Sequence, residues 1–357
     1  MKAWTQLLLL AAALCALPAP AETLLVVRKT DDAVDFVDPG SGLRLASITL
    51  GHAPHEISVS PDGRRAVVSN YGTRERPGST LSLLDLEQPR ELGRIELGPH
   101  TRPHGVAWFA PDRIAVTTEG SKHLLVVDPD GGRVVAAIET GQDVSHMVAV
   151  SPAGDRAYVT NIGSGTTTAL DLRGGRKLVD IATGAGSEAL ALTADGRELW
   201  VAARADGHLA IIDTASLEVT ARLPLPGIPI RIALAPDGRT AFATCAGSSE
   251  LVAFDVASRR EIGRRKVDVP IAPGAGQRPS AGIASGSALP VGLRVSADGR
   301  SVYVAATMGD RVLRYDAATL GPVKVIEVGG EPDGLAVTPA MPRKPCLACT
   351  PDSGTTD

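Results

Sequence analysis

Seven residues recur at one register and set the chemical question: His55, His104, His146, Glu188, Ile230, Val291 and Asp333. Their spacings are 49, 42, 42, 42, 61 and 42 residues. Three neutral imidazoles with a nearby carboxylate form a donor set for Zn, Cu or Fe, provided that the side chains converge to about 2.0–2.1 Å from one ion. The expected ligands are His55, His104, His146 and Glu188. Asp333, His52, His100 and Arg231 are expected to contact a bound ligand, with His52 and His100 in the same connecting loops as His55 and His104. A metal with an open position could also activate water or dioxygen, with Glu188 or Asp333 moving protons. The third reading is a polar lining filled by water, in a protein that only docks partners.

A common register requires a repeated element. Turn signals recur at Ser60, Ala110, Ser151, Thr193, Ala235, Ser296 and Val337, reading SPDG, APD, SPAG, TADG, APDG, SADG and VTP. An Asp follows an apolar run at Asp38, Asp85, Asp128, Asp171, Asp213, Asp255 and Asp316. Both markers count to seven. Residues 146–184 hold four short apolar runs separated by Gly, Asp and Pro turns, the pattern of one propeller blade. Residues 24–50 carry strands two to four of a blade, and 333–338 carry a first strand alone. The expected fold is therefore all-β: one seven-bladed β-propeller over residues 22–340, with blade seven closed by both termini. In such a ring, the residue that opens each innermost strand stands at the mouth of the central channel.

The seven Asp residues are expected to accept backbone N–H bonds in turns, because a feature present in every blade belongs to the scaffold. Two insertions break the period. Residues 268–290 add Gly, Pro, Ser and Ala before the sixth innermost strand, and the segment after Asn70 adds Tyr71, Arg74, Glu75 and Arg76. Both are expected on the His-bearing face, as are His123 and His208, read as solvated loop residues. The opposite face, which carries the Pro-Asp-Gly turns, is expected to be scaffold.

The ends of the chain read differently. Lys2, the apolar run Leu7–Leu17 and Ala19-Pro20-Ala21 have the form of a signal peptide over residues 1–21. Export to the periplasm, or secretion, is the expectation. Residues 341–357 form a Pro/Cys-containing tail with Cys346-x-x-Cys349. This half of a zinc motif is expected to close as a local disulfide in an oxidising compartment. Cys245 is expected to be buried. A net charge of −4 and 3% aromatic residues argue against nucleic acid as a partner. No later apolar run is long enough for a membrane helix, and a monomer is expected. No nucleophile elbow, phosphate loop or dinucleotide fingerprint is present.

Tyr158-Val159-Thr160-Asn161 is the signature of YVTN propeller repeats. With Val68-Ser69-Asn70 and the repeated Pro-Asp-Gly turns, the chain resembles the YncE-like seven-bladed propeller family over residues 23–339. That resemblance implies an exported propeller. Its wider clan includes haem d1 propellers, the copper-bearing nitrous oxide reductase propeller and lactonases, and the resemblance also raises nucleic-acid binding, which the charge does not support. Fold alone does not choose among these chemistries. The expected function is binding of a transition metal or small ligand at the His-rich channel mouth. A periplasmic protein partner is the other expected contact. A metal-dependent lactonase, lyase or oxidoreductase is the alternative. Binding is favoured because no nucleophile–base pair is evident.

Overall fold

The repeated turns explain the repeated hairpins. At Ser60-Pro61-Asp62-Gly63, Gly63 N–H donates to Ser60 O at 2.8 Å with Gly63 at φ +72°, and the Ser60 hydroxyl donates to Asp62 at 2.6 Å. That geometry reverses the chain between the first and second strands of a blade. The other turn is built on the recurring Asp. Gly131 donates to Asp128 at 2.9 Å, Gly174 to Asp171 at 2.9 Å, Ser216 to Asp213 at 2.7 Å and Ser258 to Asp255 at 2.7 Å. Asp38, Asp85 and Asp316 do the same for their own loops.

A computed structural model describes residues 22–342 as seven four-stranded antiparallel sheets in a ring. Blades one to six span residues 54–96, 103–139, 145–182, 187–224, 229–266 and 290–327. Blade seven joins Pro332–Thr338 to Thr23–Arg28, Ala33–Val37 and Arg44–Thr49, with Leu24 opposite Val337 and Leu25 opposite Ala336. Both ends thus close the ring. The expected leader, Cys346 and Cys349 lie outside the described residues. No helix among the described residues is long and apolar enough to cross a membrane.

The core lies between adjacent sheets rather than at the axis. Leu25, Val27 and Phe36 of blade seven pack on Ile57, Val68 and Leu84 of blade one, and each neighbouring pair repeats the arrangement. The Asn of the YVTN motif is buried within its own blade. Asn161 accepts from Ser145 at 3.0 Å and donates to Thr166 and Thr168 at 3.0 and 2.9 Å, tying the first three strands together.

Two backbone devices set the innermost strands. Two residues before each ring position, the chain is left-handed: Ala53, Arg102, Val144, Gly186, Ile228, Leu289 and Glu331 have φ between +47° and +71°. Six of the seven are not glycine, so each bears strain that the surrounding hydrogen bonds hold in place. Glycine also permits close approach of neighbouring innermost strands. A Cβ on Gly105 would lie 2.6 Å from His146 O.

Candidate functional site: two concentric rings at one channel mouth

The innermost strands bring His55, His104 and His146 into one stack. The His55 and His104 ring centroids are 4.5 Å apart, and those of His104 and His146 are 3.7 Å apart. His104 can thus share an ion with either neighbour, while His55 and His146 belong to separate donor groups. Asp333 lies 2.8 Å from His55 Nδ1 and accepts from Lys29 Nζ at 3.3 Å. Glu188 lies 3.2 Å from His146 Nε2, and Arg204 holds its other oxygen at 2.6 Å. Glu188 therefore reaches the histidines from the far side of His146, already paired with a guanidinium.

A second ring surrounds the first. The residue after the second strand of six blades reads Lys29, Glu119, Ile162, Arg204, Ala246 and Thr307, with Tyr71 inside the longer second strand of blade one, Arg65–Gly72, and several of these partner the inner ring. Glu119 accepts from His146 Nδ1 at 2.6 Å and from the Tyr71 hydroxyl at 2.5 Å. The Tyr71 ring stands edge-on to His55 and His104, with centroids 5.0 and 5.6 Å away. Sequence reasoning missed Glu119, Lys29 and Arg204. Their shared position at the end of the second strand is the signal that could have found them.

Glu56 was also missed. It follows His55 directly and pairs with Arg231 from the opposite side of the ring. Arg231 also lies 3.7 Å from Asp333. Two donor groups have all ligand atoms within 4.8 Å of one another: His104, Glu119 and His146, and His55, Glu56 and His104. His104 belongs to both. Its Nδ1 is buried and has no hydrogen-bond partner among the described residues.

Ile230 and Val291 complete the inner ring as apolar residues because the insertion covers them. Residues 268–290 form two short 3-10 turns, Ala275–Gln277 and Pro279–Gly282. Ala275, Leu289 and Met308 pack with Ile230 and Val291. Arg278 pins the segment through a bidentate pair with Asp310 at 2.5 and 2.8 Å. Beside the cluster lies a cavity of about 700 Å³, lined by the three histidines, His52, Tyr71, Arg74, Arg231, Ser280 and Asp333 among others. His52 is half exposed and pairs with Asp32 at 3.1 Å. His100 stands outside the cavity lining, beside His123 at a centroid distance of 4.8 Å and bonded to Ser121 at 3.0 Å. His208 contacts Thr183 O at 3.0 Å. Cys245 is buried, as expected.

The electrostatics divide the histidines. Burial pushes His104 well below the ordinary histidine range, with the neighbouring His146 and His55 adding to it. Burial and Lys29 also lower His55, against the raising effect of Asp333. Burial opposes charge on His146 too, but Glu188 and Glu119 outweigh it and raise the pKa to about 9. Burial raises Glu56 to about 7 despite Arg231. Two imidazoles are thus neutral and available as ligands at neutral pH, and the third is a cation clamped between two carboxylates.

No curated protein sequence matches the chain. Many solved structures share the architecture, the following three among them. The Pseudomonas aeruginosa periplasmic gluconolactonase has a TM-score of 0.71 at 19% identity, covering 90% of this chain and 99% of that one. A functionally unknown protein from Desulfotomaculum acetoxidans has a TM-score of 0.73 at 16% identity, covering 88% and 98%. Kuenenia stuttgartiensis hydrazine synthase has a TM-score of 0.66 at 19% identity, covering 79% and 88%. At these identities the likeness is one of fold. The family model for YNCE-like beta-propellers matches residues 112–277, just under half of the chain, and the chain folds as a seven-bladed β-propeller.

Proposed function

We propose that this propeller is an exported protein that binds one transition-metal ion, Cu, Zn or Fe, at the His-bearing mouth of its channel. The observation that carries the reading is His104: a buried imidazole nitrogen without a partner, stacked between His55 and His146 and within ligand distance of Glu119. An unpaired buried nitrogen is costly unless something occupies it. Ligand atoms on a tetrahedral ion lie about 3.4 Å apart, so small side-chain rotations would close the present spacing. Glu119 then stands in the ligand place that the sequence reading gave to Glu188. Glu188 and Asp333 orient His146 and His55 from behind, the role that outer carboxylates play at histidine-metal sites, and the ion would displace the proton that His146 carries in its absence. The leader-like residues 1–21 support export.

A catalytic reading is favoured by one further feature, the cavity of about 700 Å³ against the cluster, which has the size of an organic-ligand site. In that reading, a lactonase, lyase or oxidoreductase would use the metal as a Lewis acid or to supply bound hydroxide. Elemental analysis of protein purified without a His-tag tests both readings. Stoichiometric metal, lost in His104→Ala with the fold intact, is the expected result. Metal-free protein from metal-replete cells would overturn it. Ligand count then separates binding from catalysis, since three protein ligands plus water mark an open, catalytic site.

A further inference from the structure

The other end of the channel breaks the repeat in a different way. The fifth residue of each innermost strand is small in six blades: Ser58, Ala107, Ala149, Ala191, Ala233 and Ala336. In blade six it is Arg294. The small residues leave an axial space of about 640 Å³, and Arg294 is open to it. Arg231, which pairs with Glu56, lines both this space and the cavity on the His side. The two ends of the channel therefore meet at that ion pair.

Arg294 makes no ion pair or hydrogen bond among the described residues. The acid that acts on it is Glu22, and both Glu22 oxygens are already engaged, one by the Tyr303 hydroxyl at 2.7 Å and the other by Ala297 N–H at 3.1 Å. The surrounding walls desolvate the guanidinium and lower its pKa, against the raising effect of Glu22. Ser58 accepts from Trp108 N–H at 2.9 Å and its hydroxyl donates to no described residue. The remaining walls include Leu293, Leu335 and Ile232. An unpaired planar fork in a partly apolar funnel matches one planar anion with an apolar body.

We propose that this funnel binds a carboxylate, held bidentate by Arg294 with the Ser58 hydroxyl as an additional donor. The carboxylate could belong to a free organic acid or to a peptide C-terminus. Isothermal titration of the full chain with sodium butyrate, with tetra-alanine bearing a free C-terminus, and with its amidated form distinguishes the sources. The expected result is binding of butyrate or the free-acid peptide but not of the amide. Loss of one charge-assisted pair corresponds to about ten- to a hundredfold weaker binding in Arg294→Ala. Alanine already occupies this register in five blades, so Arg294→Ala should fold, and an unchanged melting temperature checks that; Arg294→Gln serves as a second variant. Butyrate alone identifies a free acid, and the free-acid peptide alone identifies a chain terminus. No binding of either probe at millimolar concentration, or equal binding by Arg294→Ala and Arg294→Gln, would overturn the assignment. Metal content at His104 is a separate readout, so either proposal can fail without the other.

Discussion

The spacing of the innermost strands under the histidines gives a sharp test through Gly105. A methyl group there would lie 2.6 Å from His146 O, 2.8 Å from Met147 Cα and 3.0 Å from Val148 N, all backbone atoms. Ordinary contact begins at 3.4 Å, so relief requires the two strands to separate by several tenths of an ångström. Overpacking of this kind costs about 1–3 kcal/mol, a lowering of the melting temperature by a few degrees. The same movement carries His146 away from His104. Metal sites tolerate ligand displacements of about 0.2 Å, so Gly105→Ala is expected to weaken metal binding about ten- to a hundredfold, the size of effect seen when supporting groups are removed. Thermal melts and a chelator-competition titration with zinc read the two effects. Gly93→Ala is the control, because a Cβ there meets nothing within 4 Å, and both readouts should match the parent. A Gly105→Ala protein that melts lower yet binds zinc as tightly as the parent would sink the link between strand spacing and the site.

Three further outcomes are expected. Hydrogen bonds from Gly131, Ser216, Ser258 and Thr319 hold Asp128, Asp213, Asp255 and Asp316 below their ordinary value of 3.8. Their stabilisation is complete above that value and is lost as pH falls through the folded pKa values, so melting temperature should hold near neutrality and drop below about pH 4; a variant with all four changed to Asn should fall less, and an acid limb as steep as the parent's would refute the assignment. Asn161→Ala removes three hydrogen bonds, two of them buried, and should cost about 1–3 kcal/mol in chemical denaturation. Val144 has φ +57°, where a β-branched residue is strained by about 1–2 kcal/mol. Glycine loses roughly 0.5–1 kcal/mol of that in chain entropy, so Val144→Gly should leave the denaturation midpoint unchanged or raise it, and a clear fall would count against strain at this position.

The ring was legible because symmetry does the reading. His55, His104 and His146 share one register, and the structure places all three in one stack. The second ring was not legible at the same level. Glu119 and Lys29 stand one residue past the second strand, so finding them requires that strand's end, which apolar pattern locates only to within a few residues. The Glu56–Arg231 pair crosses the ring between blades one and five, and no local pattern reports a contact across an axis. Ile230 and Val291 looked like gaps in a polar ring; they are the apolar seat of the inserted segment. His100 has the same position relative to His104 as His52 has to His55, yet its side chain turns to Ser121 and His123, because rotamer choice in a loop is set by neighbours that spacing does not reveal.

The shared seventh blade has a consequence for how the chain is made. Strands Thr23–Arg28, Ala33–Val37 and Arg44–Thr49 are the first to be synthesised, and their partner Pro332–Thr338 is the last. Until that final strand arrives, Thr23–Arg28 presents an unpaired edge, and the innermost strand of blade one lacks the neighbour that carries Asp333. A nascent chain can complete blades one to six in order from local hairpins, but it cannot become a ring until nearly all of it has been delivered. The slow step is a single closure over more than 300 residues of intervening chain. The open form awaiting that closure is the species exposed to sheet-edge pairing with its own copies.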